Sequence, residues 1–295
     1  MTRFQANSLL LIAGAMWGMG FVAQSTAMEA IGPFLFIGLR FAIAGLSVLP
    51  FALREGARAA TPLAAADWRA FGLVGIVLFL GMAAQQVGLL TTTVTNSGFL
   101  TGLYVVMVPF LSVLLFRQWP HIIVWPATLC ALAGIWLLSG GDAVALRIGD
   151  WLTILCALCW AFQVIFIARA AARTGRPITL AVAQFAVTGL LGLMIALAVE
   201  PINLSAIRAA LPEILYAGIF SGGIAFTLQV IGQRYTTAPQ AAIFLSTEAV
   251  FAALFGAMFL GERLPPAGLV GCALILSAIL LVEIVPALRG RRTAS

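Results

Sequence analysis

Charge is what this chain has least of. Only 9% of its 295 residues are Asp, Glu, Lys or Arg, against about 25% in an ordinary soluble domain. Hydrophobic residues make up 62%, and mean hydropathy is +1.10, so water is not the solvent for most of the surface. Lysine is missing altogether: all sixteen basic residues are Arg. They fall in short loops between apolar runs, where orientation in a membrane explains them, so the net charge of +6 does not predict a nucleic-acid partner. Histidine occurs once, at His121, and the four cysteines (Cys130, Cys156, Cys159 and Cys272) all lie inside apolar runs. Cys156-x-x-Cys159 has metal-ligand spacing, but there is no second pair and His121 is remote. Small buried thiols are expected, and no metal. The chain also lacks a P-loop, a His-rich motif and a paired-carboxylate motif, so no ATP, no cofactor and no catalytic residue is predicted. MTRFQANSLL runs straight into a long apolar stretch without a small-residue cleavage site, which argues against a cleaved signal peptide.

What the chain has is long apolar segments: roughly 8–27, 33–53, 70–90, 96–116, 122–139, 150–171, 178–199, 211–232, 239–260 and 267–286. Each is helix length, and in lipid a spanning backbone must satisfy its own polar groups. The predicted class is an all-α membrane protein with ten transmembrane helices. With the N-terminus inside, twelve Arg residues fall on the cytoplasmic side. Arg147, Arg208 and Arg263 fall outside, and Arg40 stays within the membrane. That asymmetry predicts cytoplasmic termini.

The chain repeats itself at an offset of 144. Gln85, Gly88, Thr92 and Thr93 return as Gln229, Gly232, Thr236 and Thr237, and the apolar stretch Thr95–His121 returns as Pro239–Pro265. Arg40-Phe-Ala-Ile-Ala-Gly-Leu46 returns as Gln184-Phe-Ala-Val-Thr-Gly-Leu190, and Trp17 pairs with Trp160. The expected units are 1–143 and 144–295. Each holds five helices, an odd number, so the second copy enters the membrane from the opposite side. Inverted-topology repeats of this kind place substrate near the midplane between the halves.

These residues carry a family likeness. Gly14-Ala-Met-Trp-Gly-Met-Gly20, Pro33 with Arg40-Phe41, Pro109-Phe-Leu-Ser-Val, Thr247-Glu-Ala-Val-Phe-Ala-Ala-Leu and Leu260-Gly-Glu-Arg-Leu264 together resemble the EamA-type permeases of the drug/metabolite transporter superfamily. The resemblance implies export or exchange of small metabolites across a bacterial inner membrane, with amino acids the nearest substrate class.

Candidate substrate-cavity residues follow from polarity out of place. Glu248 lies about nine residues into the ninth segment, roughly 14 Å deep, where a bare carboxylate costs several kcal/mol. Arg40 lies seven residues into the second segment. Either the two pair with each other, or each waits for one end of a substrate. Gln24, Gln85, Gln163, Gln184 and Gln229 are amides in apolar spans and need partners or cavity water. Trp17 and Trp160 sit near mid-span rather than at an interface. Asn96, Phe99 and Leu103 share one helix face, and Phe244 and Thr247 another. The bland alternative for every one of these is ordinary helix packing. Gly18 and Gly20 are read as permitting close helix contact or sliding. Pro109 is expected to bend the fourth segment, leaving the ninth straighter at its twin, Ala253.

The reading is a secondary transporter, not an enzyme. It would export aromatic and other neutral amino acids, or similar amphipathic metabolites, by alternating access. Its partners are a small-molecule substrate and membrane lipid. Efflux of drug-like cations is the rival within transport, and a membrane-embedded lipid-modifying enzyme the rival from another class.

Overall fold

The computed structural model describes residues 1–92, 94–138, 147–259 and 266–292, with side chains apart from 94–96, 99, 138, 283, 284 and 286–292. Among the described residues every regular element is helical. In chain order these are α1 (Arg3–Ala27), α2 (Pro33–Ala57), α3 (Ala65–Gly88), α4 (Val94–Gly102), α5 (Tyr104–Phe116) and α6 (Val124–Leu138). Then come α7 (Ile148–Thr174), α8 (Pro177–Val199), α9 (Leu204–Ala209), α10 (Leu211–Leu215), a π-helical stretch (Tyr216–Ala225), α11 (Phe226–Gln233), α12 (Ala238–Leu245), α13 (Thr247–Phe259) and α14 (Pro266–Arg292). Seven helical runs are long and apolar enough to cross a membrane, and three shorter apolar ones cover Leu100–Phe116, Val124–Leu137 and Pro266–Val282. The protein is a multi-pass membrane protein.

Local chemistry sets the helix ends. Pro33 and Pro177 occupy the first turns of α2 and α8, where a missing N–H costs nothing. Gly175, at φ 65°, ends α7 in the left-handed conformation. Arg117 does the same for α5 at φ 52° and is the one non-glycine residue with positive φ among the described residues. Its N–H bonds Val113 O at 2.9 Å, and Gln118 N bonds Ser112 O at 3.1 Å.

The main pairings are α2 with α8, α3 with α7, α6 with α14, and α1 with α13. Carboxylates at the two ends of the α2–α8 pair fix its direction. Glu200, just past α8, accepts hydrogen bonds from Phe34 N and Leu35 N, both 2.8 Å, at the start of α2. Glu55, near the end of α2, accepts from Ile178 N at 3.1 Å and Thr179 N at 2.7 Å, at the start of α8. Each helix therefore begins where the other ends, and each carboxylate satisfies N–H groups that a helix start leaves without internal partners. Asp150, in the first turn of α7, accepts from Arg147 N at 2.7 Å and from the Thr92 hydroxyl beyond α3. At the other end of the α3–α7 pair, Arg173 and Asp67 form an ion pair of 2.8 Å.

Three of the segments read from the sequence are interrupted. The fourth is broken at Leu103, between α4 and α5, and the ninth at Ser246, between α12 and α13. Helix α5 carries Pro109 inside its span. The breaks occupy twin places in the two halves. At the second, Ser246 Oγ donates to Ile243 O and Thr247 Oγ1 to Phe244 O, both 2.7 Å, and such local bonds compete with the helical ladder. Helix α13 is continuous through Ala253. The eighth segment is interrupted differently, by ten π-helical residues. The Leu260–Leu264 motif lies outside the described residues.

Candidate functional site

Helices α1, α2, α3, α7, α11 and α13 converge with the α4–α5 break, the end of α12 and the π-helical stretch on one internal cavity of about 40 Å³. Its wall is aromatic at the centre. The rings of Trp17 and Phe226 lie 4.6 Å apart, and those of Trp160 and Phe226 stack at 5.8 Å. Phe21, Met82, Val164 and Leu245 complete the apolar lining.

Arg40 enters this wall from α2 and is 1% exposed. Its Nη1 donates to Gln24 Oε1 at 3.0 Å and its Nη2 to Ser221 Oγ at 3.4 Å. The guanidinium also lies 5.0 Å from the centre of the Phe41 ring and 5.4 Å from that of Phe36, which offers modest cation–π stabilisation. No carboxylate pairs with it: the one ion pair among the described residues is Arg173–Asp67. Arg40 Nε has no hydrogen-bond partner at all. Glu248 lines the same cavity from the first turn of α13. The sequence left open whether these two charges pair; in this conformation they share a cavity without doing so. The buried Tyr104 hydroxyl stands close enough to Glu248 to interact with its carboxyl group. Gln85 donates to Thr101 Oγ1 at 3.1 Å beside them.

Of the residues singled out from the sequence, Trp17, Gln24, Arg40, Gln85, Trp160, Gln229 and Glu248 line this cavity. Gln229 also joins a buried amide cluster. It donates to Gln163 Oε1 at 3.1 Å, while Gln163 Nε2 lies 3.3 Å from Gln184 Oε1. Gln184 Nε2 stays without a partner. Leu103 and Phe244 instead pack into the hydrophobic core around α5, α7 and α12. Thr247 bonds its own helix. The side chains of Asn96 and Phe99 lie outside the described residues. Gly18 faces α13: a Cβ there would meet Phe251 Cβ at 2.5 Å. Gly20 faces the π-helical stretch, with Ser221 Oγ 2.7 Å from such a Cβ.

Sequence reasoning missed Ser221, Phe226, Thr101 and Tyr104. Ser221 is the instructive one. Its carbonyl accepts from Trp17 Nε1 at 3.0 Å and its hydroxyl accepts from Arg40. Widened π turns recur at functional sites, and this one carries Gly218, Ser221, Gly222 and Gly223. That small-residue run was the available signal. No cluster of three metal-ligating side chains occurs among the described residues.

Comparison with known proteins agrees with this architecture. The sequence profile of the EamA-like transporter family matches the chain twice, over residues 5–140 and 147–284. A protein of Archaeoglobus fulgidus named only as an uncharacterized transporter is 33% identical over 285 residues, covering 96% of this chain and 87% of its own. The uncharacterized transporter YwfM of Bacillus subtilis is 27% identical, covering 97% and 95%. A chloroplastic WAT1-related protein of Arabidopsis thaliana is also 27% identical, over 90% of this chain and 66% of its own length. One solved crystal structure superposes with a TM-score of 0.80 over 100% of both chains at 21% identity, a likeness of fold.

Proposed function

The chain belongs to the EamA-like transporter family, and we propose that it exports neutral and aromatic amino acids, or metabolites of the same zwitterionic and amphipathic kind. On this reading it works by alternating access across a bacterial inner membrane, as ten helices in two inverted five-helix halves, 1–143 and 144–295, with both termini cytoplasmic. The observation that carries the substrate class is Arg40: a buried guanidinium whose hydrogen-bond partners are all neutral, in the same cavity as the half-buried Glu248. Leaving either charge bare in a low-dielectric site costs several kcal/mol. A zwitterion would satisfy both, its carboxylate on the Arg40 fork and its ammonium on Glu248, with Trp17, Trp160 and Phe226 against an apolar or aromatic side chain.

The reciprocal Glu55 and Glu200 caps support the inverted arrangement, because they link equivalent helix starts running in opposite directions. The sequence motifs add a likeness to the bacterial amino-acid exporter YddG. The cavity volume of about 40 Å³ holds on the order of three waters.

Counterflow in proteoliposomes tests the proposal, with labelled aromatic and aliphatic amino acids run beside organic cations. Exchange of zwitterions is the expected result. Exchange confined to organic cations would move the assignment to cation efflux, with Glu248 as the recognition group.

A further inference from the structure

A second and much larger space lies along the same helices. On the side that the arginine distribution marks as cytoplasmic, a cleft of about 1000 Å³ opens between α3, α5, α7 and the start of α12. It is set directly beneath the central cavity. Along α5, Tyr104 faces the cavity and Ser112 the cleft, roughly 12 Å apart at 1.5 Å per residue. Along α12, Leu245 faces the cavity while Ala238 and Pro239 face the cleft. Between the two spaces, Val105, Val108, Ala241 and Ala242 are fully buried and belong to one hydrophobic core.

At the depth of the central cavity, α1 lies so near α13 that a Cβ on Gly14 would meet Thr247 Oγ1 at 2.5 Å, and one on Gly18 would meet Phe251 Cβ at 2.5 Å. Aligned on Trp17 and Trp160, Gly14 and Gly18 correspond to Ala157 and Ala161 on α7, both fully buried.

The cleft is also chemically biased. Two guanidinium groups line it. That of Arg173 is held by Asp67. That of Arg169 lies over the Phe116 ring, 3.9 Å from its centre, and makes no ion pair among the described residues. A cation–π contact of this kind restrains the head without neutralising it, so its N–H groups can meet a planar anion.

Resting on the transporter reading above, we infer that this cleft is the cytoplasmic mouth of the transport path, and that Arg169 is a carboxylate-selecting station at that mouth. Substrate meets Arg169 first, passes the Val105–Val108 and Ala241–Ala242 seal when it parts, and delivers its carboxylate to Arg40. Two like-charged stations in series on one path favour carboxylate-bearing solutes over plain cations before the cavity is reached.

The test uses Ala168→Cys and Thr236→Cys, two cleft positions, each in the full chain in oriented vesicles. They are treated with methanethiosulfonates bearing either a sulfonate or a trimethylammonium, and modification is read by mass at the introduced thiol. Both variants should react from the cytoplasmic face only. The sulfonate should react several-fold faster than its ratio for a free thiol predicts, Arg169→Gln should abolish that preference, and modification should cut amino-acid counterflow at least several-fold. An unchanged charge ratio in Arg169→Gln removes the anion station. Full modification with counterflow intact removes the mouth while leaving the transporter reading in place. Reactivity in detergent that is lost in the bilayer shows a cleft filled by acyl chains, which also overturns the inference. Absence of counterflow by the unmodified protein strikes the transporter reading itself.

Discussion

Arg40 and Glu248 set the terms at the scale of single residues. A cation fixed by two neutral hydrogen bonds and two aromatic faces is held in place without being neutralised. Replacing it by Gln keeps polarity and much of the volume while removing the charge, so Arg40→Gln should fold and should lower counterflow of an amino acid at least tenfold, equivalent to about 1.4 kcal/mol. An amino-acid ester, lacking the carboxylate, should be insensitive to that change. Glu248→Gln should show the converse, impairing solutes with an ammonium group. If both single variants lose thermal stability together and the double variant regains it, the charges serve folding rather than recognition. A second residue-scale prediction concerns Arg117, held at φ 52° at the end of α5. A left-handed conformation costs a non-glycine residue about 1 kcal/mol or more, and the position 144 residues on is Gly261. Arg117→Gly should therefore raise the melting temperature in detergent; an unchanged or lower value would mean that the arginine head has an anchoring role that outweighs the strain.

Among the elements, the paired helices α2 and α8 show how the halves are tied. Neither Glu55 nor Glu200 stood out in the sequence, because an acidic residue at the end of an apolar run looks like an ordinary interfacial charge. What it caps is decided by a helix more than a hundred residues away. Removing a carboxylate that accepts two backbone N–H groups leaves them unsatisfied, at about 1–3 kcal/mol. Glu55→Ala and Glu200→Ala should each lower thermal stability by that order, and the double variant should lose roughly the sum, since the two sites lie at opposite ends of the pair. Substantial non-additivity in the double variant would show instead that one cap depends on the other. The helical segments themselves were legible, because twenty apolar residues in lipid have few alternatives to a helix. The interruptions were not. Ser246-Thr247 and the Gly-rich stretch before Phe226 read as helix by composition, and their breaks arise from hydroxyl groups and packing against α1 and α2 that no single segment reveals. Of the site, charges and amides out of place were visible from one-dimensional position alone. Tyr104, Ser221 and Phe226 were not, being unremarkable residue types that become site residues only when helices distant in the sequence meet.

For the whole molecule, the reciprocal caps make one strong geometric demand. The start of α2 and the end of α8 share one side of the membrane, and the end of α2 and the start of α8 share the other. Arginine supplies the direction: Arg54 and Arg58 follow the body of α2, and Arg173 and Arg176 precede α8, so that shared end is assigned to the cytoplasm. Arg176 even reaches across it, its Nη2 donating to Thr61 O at 2.6 Å. The loop after α2 and the segment after α8 must then face opposite compartments. Ala60→Cys should be labelled by an impermeant thiol reagent only from the cytoplasmic face, and Ser205→Cys, exposed on α9, only from the outer face. Labelling of both from one face would break the antiparallel crossing of α2 and α8, and the inverted repeat with it. Labelling of each from the face opposite to that expected would preserve the repeat and reverse the orientation, turning the 1000 Å³ cleft into an outward mouth and the direction of transport into uptake.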